Sequence, residues 1–119
     1  MKKFFLPSFL LALAVIIGAF GAHGVEKIVS VKALATYKTG NFYHFIHALG
    51  LGYILILEER FTINLKLSKV LLIFGICIFS GGCYIYALTS IKTFAMIVPL
   101  GGLCFVASWL LLSLKCLKS

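Results

Sequence analysis

Four long apolar runs, joined by short charged connections, constrain this chain more than any other feature. They cover about residues 4–22, 42–57, 70–88 and 94–114, and a helix that crosses a bilayer needs roughly 20 such residues. Lipid offers no hydrogen bonds to a peptide group, so a run of this kind folds as helix, where each N–H finds a carbonyl within its own segment. The 119 residues are 62% hydrophobic and 12% charged, with a mean hydropathy of +1.13. A water-soluble domain of this size leaves much of its surface exposed and could not hide so much apolar area. The sequence therefore predicts an all-α membrane protein, a four-transmembrane-helix bundle forming a single domain over residues 1–119. No repeat, low-complexity tract or linker points to a second one.

The first run also resembles a secretory signal, with Lys2 and Lys3 ahead of it and Ala19-Phe20-Gly21 as a small-residue cleavage site. It is longer than a usual signal core of roughly 7–15 residues. Ala14, Gly18 and Ala22 recur every fourth residue, giving a helix face that another helix can approach closely. A cleaved segment has no use for such a face, so the first span is expected to be retained.

Charge sets the orientation. Lys+Arg number 11 against 3 Asp+Glu, and the basic residues sit singly at the ends of apolar runs. With four spans, Lys2, Lys3, Arg60, Lys66, Lys69, Lys115 and Lys118 share one side, and Lys27, Lys32, Lys38 and Lys92 the other. The positive-inside rule then predicts a multi-pass protein of the cell (inner or plasma) membrane with both termini in the cytoplasm. No basic stripe interleaved with aromatics exists, which argues against nucleic acid as a partner. The first outer loop, Gly24 to Asn41, carries Val25, Ile28, Val29 and Lys32 at helical spacing, and a short helix lying on the membrane is expected there.

Helices in lipid associate through close backbone contact and polar groups. Small residues suited to this are Ala14/Gly18/Ala22 in the first span, Ala48/Gly52 in the second, Cys77/Gly81 in the third, and Gly101 with Gly102 in the fourth. Pro99 lies a few residues into the fourth span, where it removes a donor and kinks the helix. The cysteines (Cys77, Cys83, Cys104, Cys116) have no metal-type spacing, and the first three read as small packing residues in apolar runs.

Depth gathers the remaining polar residues. His23 ends the first span, and Tyr43, His44 and His47 open the second. Ser80 and Tyr84 lie toward the end of the third, and Pro99 near the start of the fourth. At ~1.5 Å per residue most of them fall within about 10 Å of the outer surface, so all four helices contribute to one candidate polar layer. His44 and His47, three apart, can face one side of a helix. The three histidines suit zinc, copper or haem, proton relay, or simple anchoring at the interface. Glu26, Glu58 and Glu59 fall in loops, so no acid stands within a span to couple an ion. No catalytic motif occurs, and neither a catalytic residue, nor a metal ligand set, nor a cofactor is assigned.

Gly18-Ala19-Phe20-Gly21-Ala22-His23-Gly24 resembles the signature of the YgdD/YwdK-like family of small bacterial inner-membrane proteins. The resemblance continues in order through Tyr43-His44, His47-Ala48-Leu49, Phe79-Ser80-Gly81, Tyr84, Pro99-Leu100-Gly101-Gly102 and Trp109. Val98 stands where the family often has Thr, and Ser108 where Gly is usual. The resemblance implies a four-helix membrane protein with its first span retained. It brings no reaction, since the family's function is unknown.

Two functions remain open on sequence. One is a non-enzymatic interaction or assembly protein, partnered by membrane lipid and either a second copy or another membrane protein. The other is a small-molecule, lipid or proton binder or transporter that uses the outer His/Tyr layer, with metal or haem binding as a further alternative.

Overall fold

The computed structural model describes residues 1–119 and contains four helices long and apolar enough to cross a membrane. After a 3-10 turn at Lys2–Phe4, α1 spans Phe5–His23, with Pro7 in its first turn, where a missing donor breaks no helical bond. A 3-10 turn at Val25–Lys27 leads to α2, Val31–Phe61. The third crossing is a continuous rod of α3 (Lys66–Gly75), a π-helical turn (Ile76–Ser80) and α4 (Gly81–Thr89). The fourth is α5, Lys92–Lys118.

The second helix starts well before the apolar run that announces it. Ser30, in extended conformation, accepts a hydrogen bond from the Ala33 amide at 3.1 Å and so caps α2, as a serine at that position does. Residues 31–41, expected to lie in the outer loop, are thus the first turns of α2. No separate interfacial helix forms; only the Val25–Lys27 turn occupies the connection. At the other end Glu58 and Glu59 belong to the last turn of α2 rather than to a loop.

The glutamates organise the tight connection that follows. The helix stops at Thr62, whose φ of 52° is left-handed. Glu58 Oε1 accepts from the Leu65 amide at 2.7 Å, and Glu58 Oε2 pairs with Lys69 Nζ at 2.5 Å. One carboxylate thereby satisfies the backbone at the start of α3 and fixes a lysine on its first turn.

Packing is uneven. Buried residues make up 44% and 39% of the spanning windows of the second and third crossings, against 17% and 22% in the first and fourth. The central pair is therefore α2 with the α3–α4 rod, while α1 leans on α2 and α5 leans on the rod. The principal extents, 49 × 28 × 17 Å, describe this elongated diamond. Its main core joins Leu51, Ile54, Leu72, Ile76, Phe105 and Leu112 from three crossings.

Small residues bring the backbones together, but not all of those the spacing suggests. Gly101 lies directly on the Phe79 backbone, and Gly40 on Cys83 and the Ser80 carbonyl, with no room at either for a methyl group. Ala14 and Ala48 are fully buried, Gly18 meets Asn41, and Gly52 faces Pro7. Ala22 is exposed, and its expected place on the α1 face is taken by Gly21, which meets the Tyr37 ring. Gly81 has open space around it; Gly82 makes the contact with α5 instead. Gly102 touches only the edge of Phe79. Cys83 is buried as a packing residue, whereas Cys77 is exposed and Cys104 half-buried.

Candidate functional site

Because α2 begins at Val31, its histidines sit deeper than the apolar run implies. The uncharged stretch between Lys38 and Glu58 rises ~30 Å at 1.5 Å per residue, which matches the hydrocarbon thickness. Along it, His47 stands about 14 Å from Lys38 and about 16 Å from Glu58. Tyr43 and His44 lie about 8 and 9 Å from Lys38, within the expected 10 Å, while His47 is deeper and close to mid-depth. Polar groups held there, away from the interface, are the ones that most often serve function.

The two histidines also part company, contrary to the shared face that their spacing suggests. His44, 4% exposed, turns toward α1 and α4, and its Nδ1 is 2.9 Å from the Tyr84 hydroxyl. Asn41 Nδ2 donates to the Ala14 carbonyl at 2.8 Å and to the Tyr84 oxygen at 3.3 Å. The Tyr37 hydroxyl donates to the Ile17 carbonyl at 2.5 Å, and its ring packs on that of Tyr84. Three crossings are thus tied by one polar cluster in which His44 Nε2 is buried without a partner. Such a cluster specifies which helix faces meet. Tyr37 and Asn41 were not singled out from sequence. Their spacing from His44 (i, i+4, i+7) is a helical face, but it is visible as one only once Val31–Asn41 is known to be helix.

His47, equally buried, turns toward α5. Its Nδ1 lies 2.7 Å from the Tyr43 carbonyl; a carbonyl only accepts, so Nδ1 carries the proton and the neutral ring leaves Nε2 as an acceptor. The ring stacks on Phe105 at a centroid distance of 3.5 Å and tilts against Trp109 at 6.1 Å. Tyr43 packs on Phe79 at 4.8 Å. Around these rings, between α2 and α5, an open groove of about 570 Å³ is lined by Tyr43, His47, Phe79, Pro99, Phe105 and Trp109. The Nδ1 contact is the only hydrogen bond that the His47 ring makes within the protein.

The local backbone explains the groove. The π turn at Ile76–Ser80 adds a residue to the rod's winding, a distortion that commonly marks functional positions. It sets Phe79 against Tyr43 and Phe105 and turns Ser80 inward, 1% exposed, with its hydroxyl unpartnered. Pro99, itself exposed, and Gly102 leave α5 slim beside the groove.

Of the sequence candidates, Tyr43, His47 and Pro99 share this groove, and His44 and Tyr84 share the polar cluster. Ser80 stands in the core, and His23 is exposed at the end of α1, in neither group. No three His, Cys, Asp or Glu side chains are placed to hold a metal ion. Phe105 was missed: one phenylalanine in an apolar run carries no signal until its neighbour is known.

Residues 17–102 match a family described as a protein of unknown function (DUF423). Curated relatives match along most of the chain. A UPF0382 membrane protein of Staphylococcus saprophyticus is 42% identical, with 99% of each chain covered. The UPF0382 membrane protein YwdK of Bacillus subtilis is 39% identical over 89% of this chain and 88% of its own. The UPF0382 inner membrane protein YgdD of Escherichia coli is 35% identical over 82% of this chain and 76% of its own. No solved structure matches.

Proposed function

The chain belongs to the DUF423 family of membrane proteins of unknown function, and we propose that it acts without catalysis, holding a weakly polar lipophile in the groove between α2 and α5. The observation that carries this reading is His47, its Nδ1 held by the Tyr43 carbonyl and its Nε2 free to accept, near mid-depth in a largely apolar groove rich in aromatic rings. A volume of about 570 Å³ suits one small ligand, and a few placed polar groups in an apolar lining are the usual form of such sites. The acceptor selects for a hydroxyl, the rings for a flat or branched apolar body. A phospholipid headgroup does not reach this depth. Both termini face the cytoplasm in this reading, on the side rich in Lys and Arg.

Trp109 is the chain's one tryptophan and lines the groove, so its fluorescence reports occupancy. Titrating 4-nonylphenol into phosphatidylcholine nanodiscs carrying the protein should change that emission saturably. Binding should weaken about three- to tenfold in His47→Leu, as expected for one hydrogen bond. Nonylbenzene should bind wild type and variant alike. An emission change that never saturates, or one indifferent to both hydroxyl and histidine, refutes the reading.

A second reading, association with another copy of the chain, is favoured by the Cys77/Gly81 pair. No contact within the chain occupies the space at Gly81, and Cys77 is exposed, so this small-residue face remains open for a partner helix. Oxidative crosslinking through Cys77, with the other three cysteines replaced by Ala, should trap a dimer in native membranes; monomer alone counts against it.

A further inference from the structure

The diamond arrangement leaves a second lateral groove, on the opposite flank from His47 and nearer the end that carries the chain termini. Here α1 and α3 both lean on α2, and the gap between them is a recess of about 260 Å³. Its walls and floor include Leu6 from α1, Leu51 from α2 and Val70 from α3, while Lys3, Lys66 and Lys69 stand on its rim. All three lysines lie at the end of the molecule that carries the chain termini, next to the close of α2.

The rim charge is organised rather than scattered. Lys69 is held by Glu58, whose other oxygen is fixed by the Leu65 amide. Lys3 Nζ pairs with Glu59 at 3.2 Å. Lys66 has no carboxylate partner. Three ammonium groups thus face two carboxylates around an apolar cleft that runs toward the membrane interior. We propose that this recess is a binding site for one anionic phospholipid, its phosphate on the lysine rim and an acyl chain along the apolar floor.

Charge complementarity argues for that occupant. An apolar helix from a partner would leave Lys66 desolvated and unpaired, at a cost that opposes docking. A zwitterionic lipid brings its own cation to a rim that already has one in excess. An anionic headgroup instead supplies the missing negative charge, and a basic pocket between helices at the headgroup level is the usual form of such recognition. The paired lysines add hydrogen-bond donors without swinging free, since Glu58 and Glu59 fix their direction.

The test is native mass spectrometry of the full chain released from detergent micelles that contain phosphatidylglycerol and phosphatidylcholine in equal amounts, with identical acyl chains. Wild type should retain phosphatidylglycerol in preference by about fivefold or more, the effect of roughly one lysine near a headgroup. Lys66→Gln, an exposed substitution that breaks no ion pair, should remove most of that preference, and Lys3→Gln/Lys66→Gln should remove the rest. Lys92→Gln, at the other end of the molecule, should leave it intact. Equal retention of the two lipids by wild type overturns the site. So does a preference that survives Lys3→Gln/Lys66→Gln, or one lost equally in Lys92→Gln, since either means that net charge alone attracts the lipid. Displacement of the phosphatidylglycerol by excess inorganic phosphate overturns it as well, by showing that the rim holds a free anion and the apolar floor contributes nothing.

Discussion

Gly101→Ala is the substitution that most directly tests how the third and fourth crossings meet. A methyl group at position 101 has no space. It runs into the backbone nitrogen of Phe79, with the Phe79 Cβ at 2.7 Å and Cα at 2.8 Å. Backbone atoms of a π turn packed on two sides cannot step aside as a side-chain tip can, so α5 must move or the turn must rewind. Overpacking of this kind costs about 1–3 kcal/mol. Replacing a helical glycine by alanine returns up to about 1 kcal/mol of chain entropy. A clash with backbone falls at the upper end of that range, so the net loss is about 2 kcal/mol. For a chain of this length that lowers the midpoint of thermal unfolding by about 8 °C, at ~4 °C per kcal/mol. Gly102→Ala is the internal control: the same chemistry one residue later meets only the Phe79 ring edge at 3.7 Å, an ordinary contact. Melts followed by Trp109 emission in one detergent should show Gly101→Ala falling and Gly102→Ala level or slightly raised. If the two variants melt together, the Gly101–Phe79 contact is not what sets the spacing of these helices.

Three further outcomes are expected from the same melts. Tyr84→Phe removes the hydroxyl that joins Asn41 to His44, leaving His44 buried with neither ring nitrogen bonded to the protein. The loss should be about 1–3 kcal/mol, and a melt equal to wild type would show that the cluster adds no stability. Glu58→Gln strips the charge from both the Leu65 amide contact and the Lys69 pair. A cost of about 1.5–3 kcal/mol is expected for charge-assisted bonds, and a melt equal to wild type would mean that the pair does not matter to the connection. Ala22→Leu should leave the melt within about 0.5 kcal/mol, as surface changes do, because Ala22 is exposed, whereas Gly21→Leu should unseat the Tyr37 ring and lower it.

The four crossings, their order and their membrane setting were legible from the chain alone. Apolar length and the absence of hydrogen-bonding solvent leave a run such as 94–114 no alternative to helix, whatever surrounds it. Local chemistry also drew attention to His44, His47 and Tyr84, since they are costly groups to place in lipid. What one-dimensional reading could not supply was depth and direction. A polar stretch such as Val31–Asn41 reads as loop on hydropathy, yet a serine cap and the carbonyls offered by α1 make it helix, and that extension carries His47 toward mid-depth. Residues three apart differ by about 60° around a helix axis, so a shared face for His44 and His47 was available from spacing but not required by it. Which neighbour each one meets depends on close approach at Gly40 and Gly101 and on the extra residue of the π turn. Those contacts join atoms far apart in sequence, and they send His44 into a polar cluster while leaving His47 on an open groove. Helix formation is settled by each segment with its solvent; the site is settled only when the segments choose their neighbours.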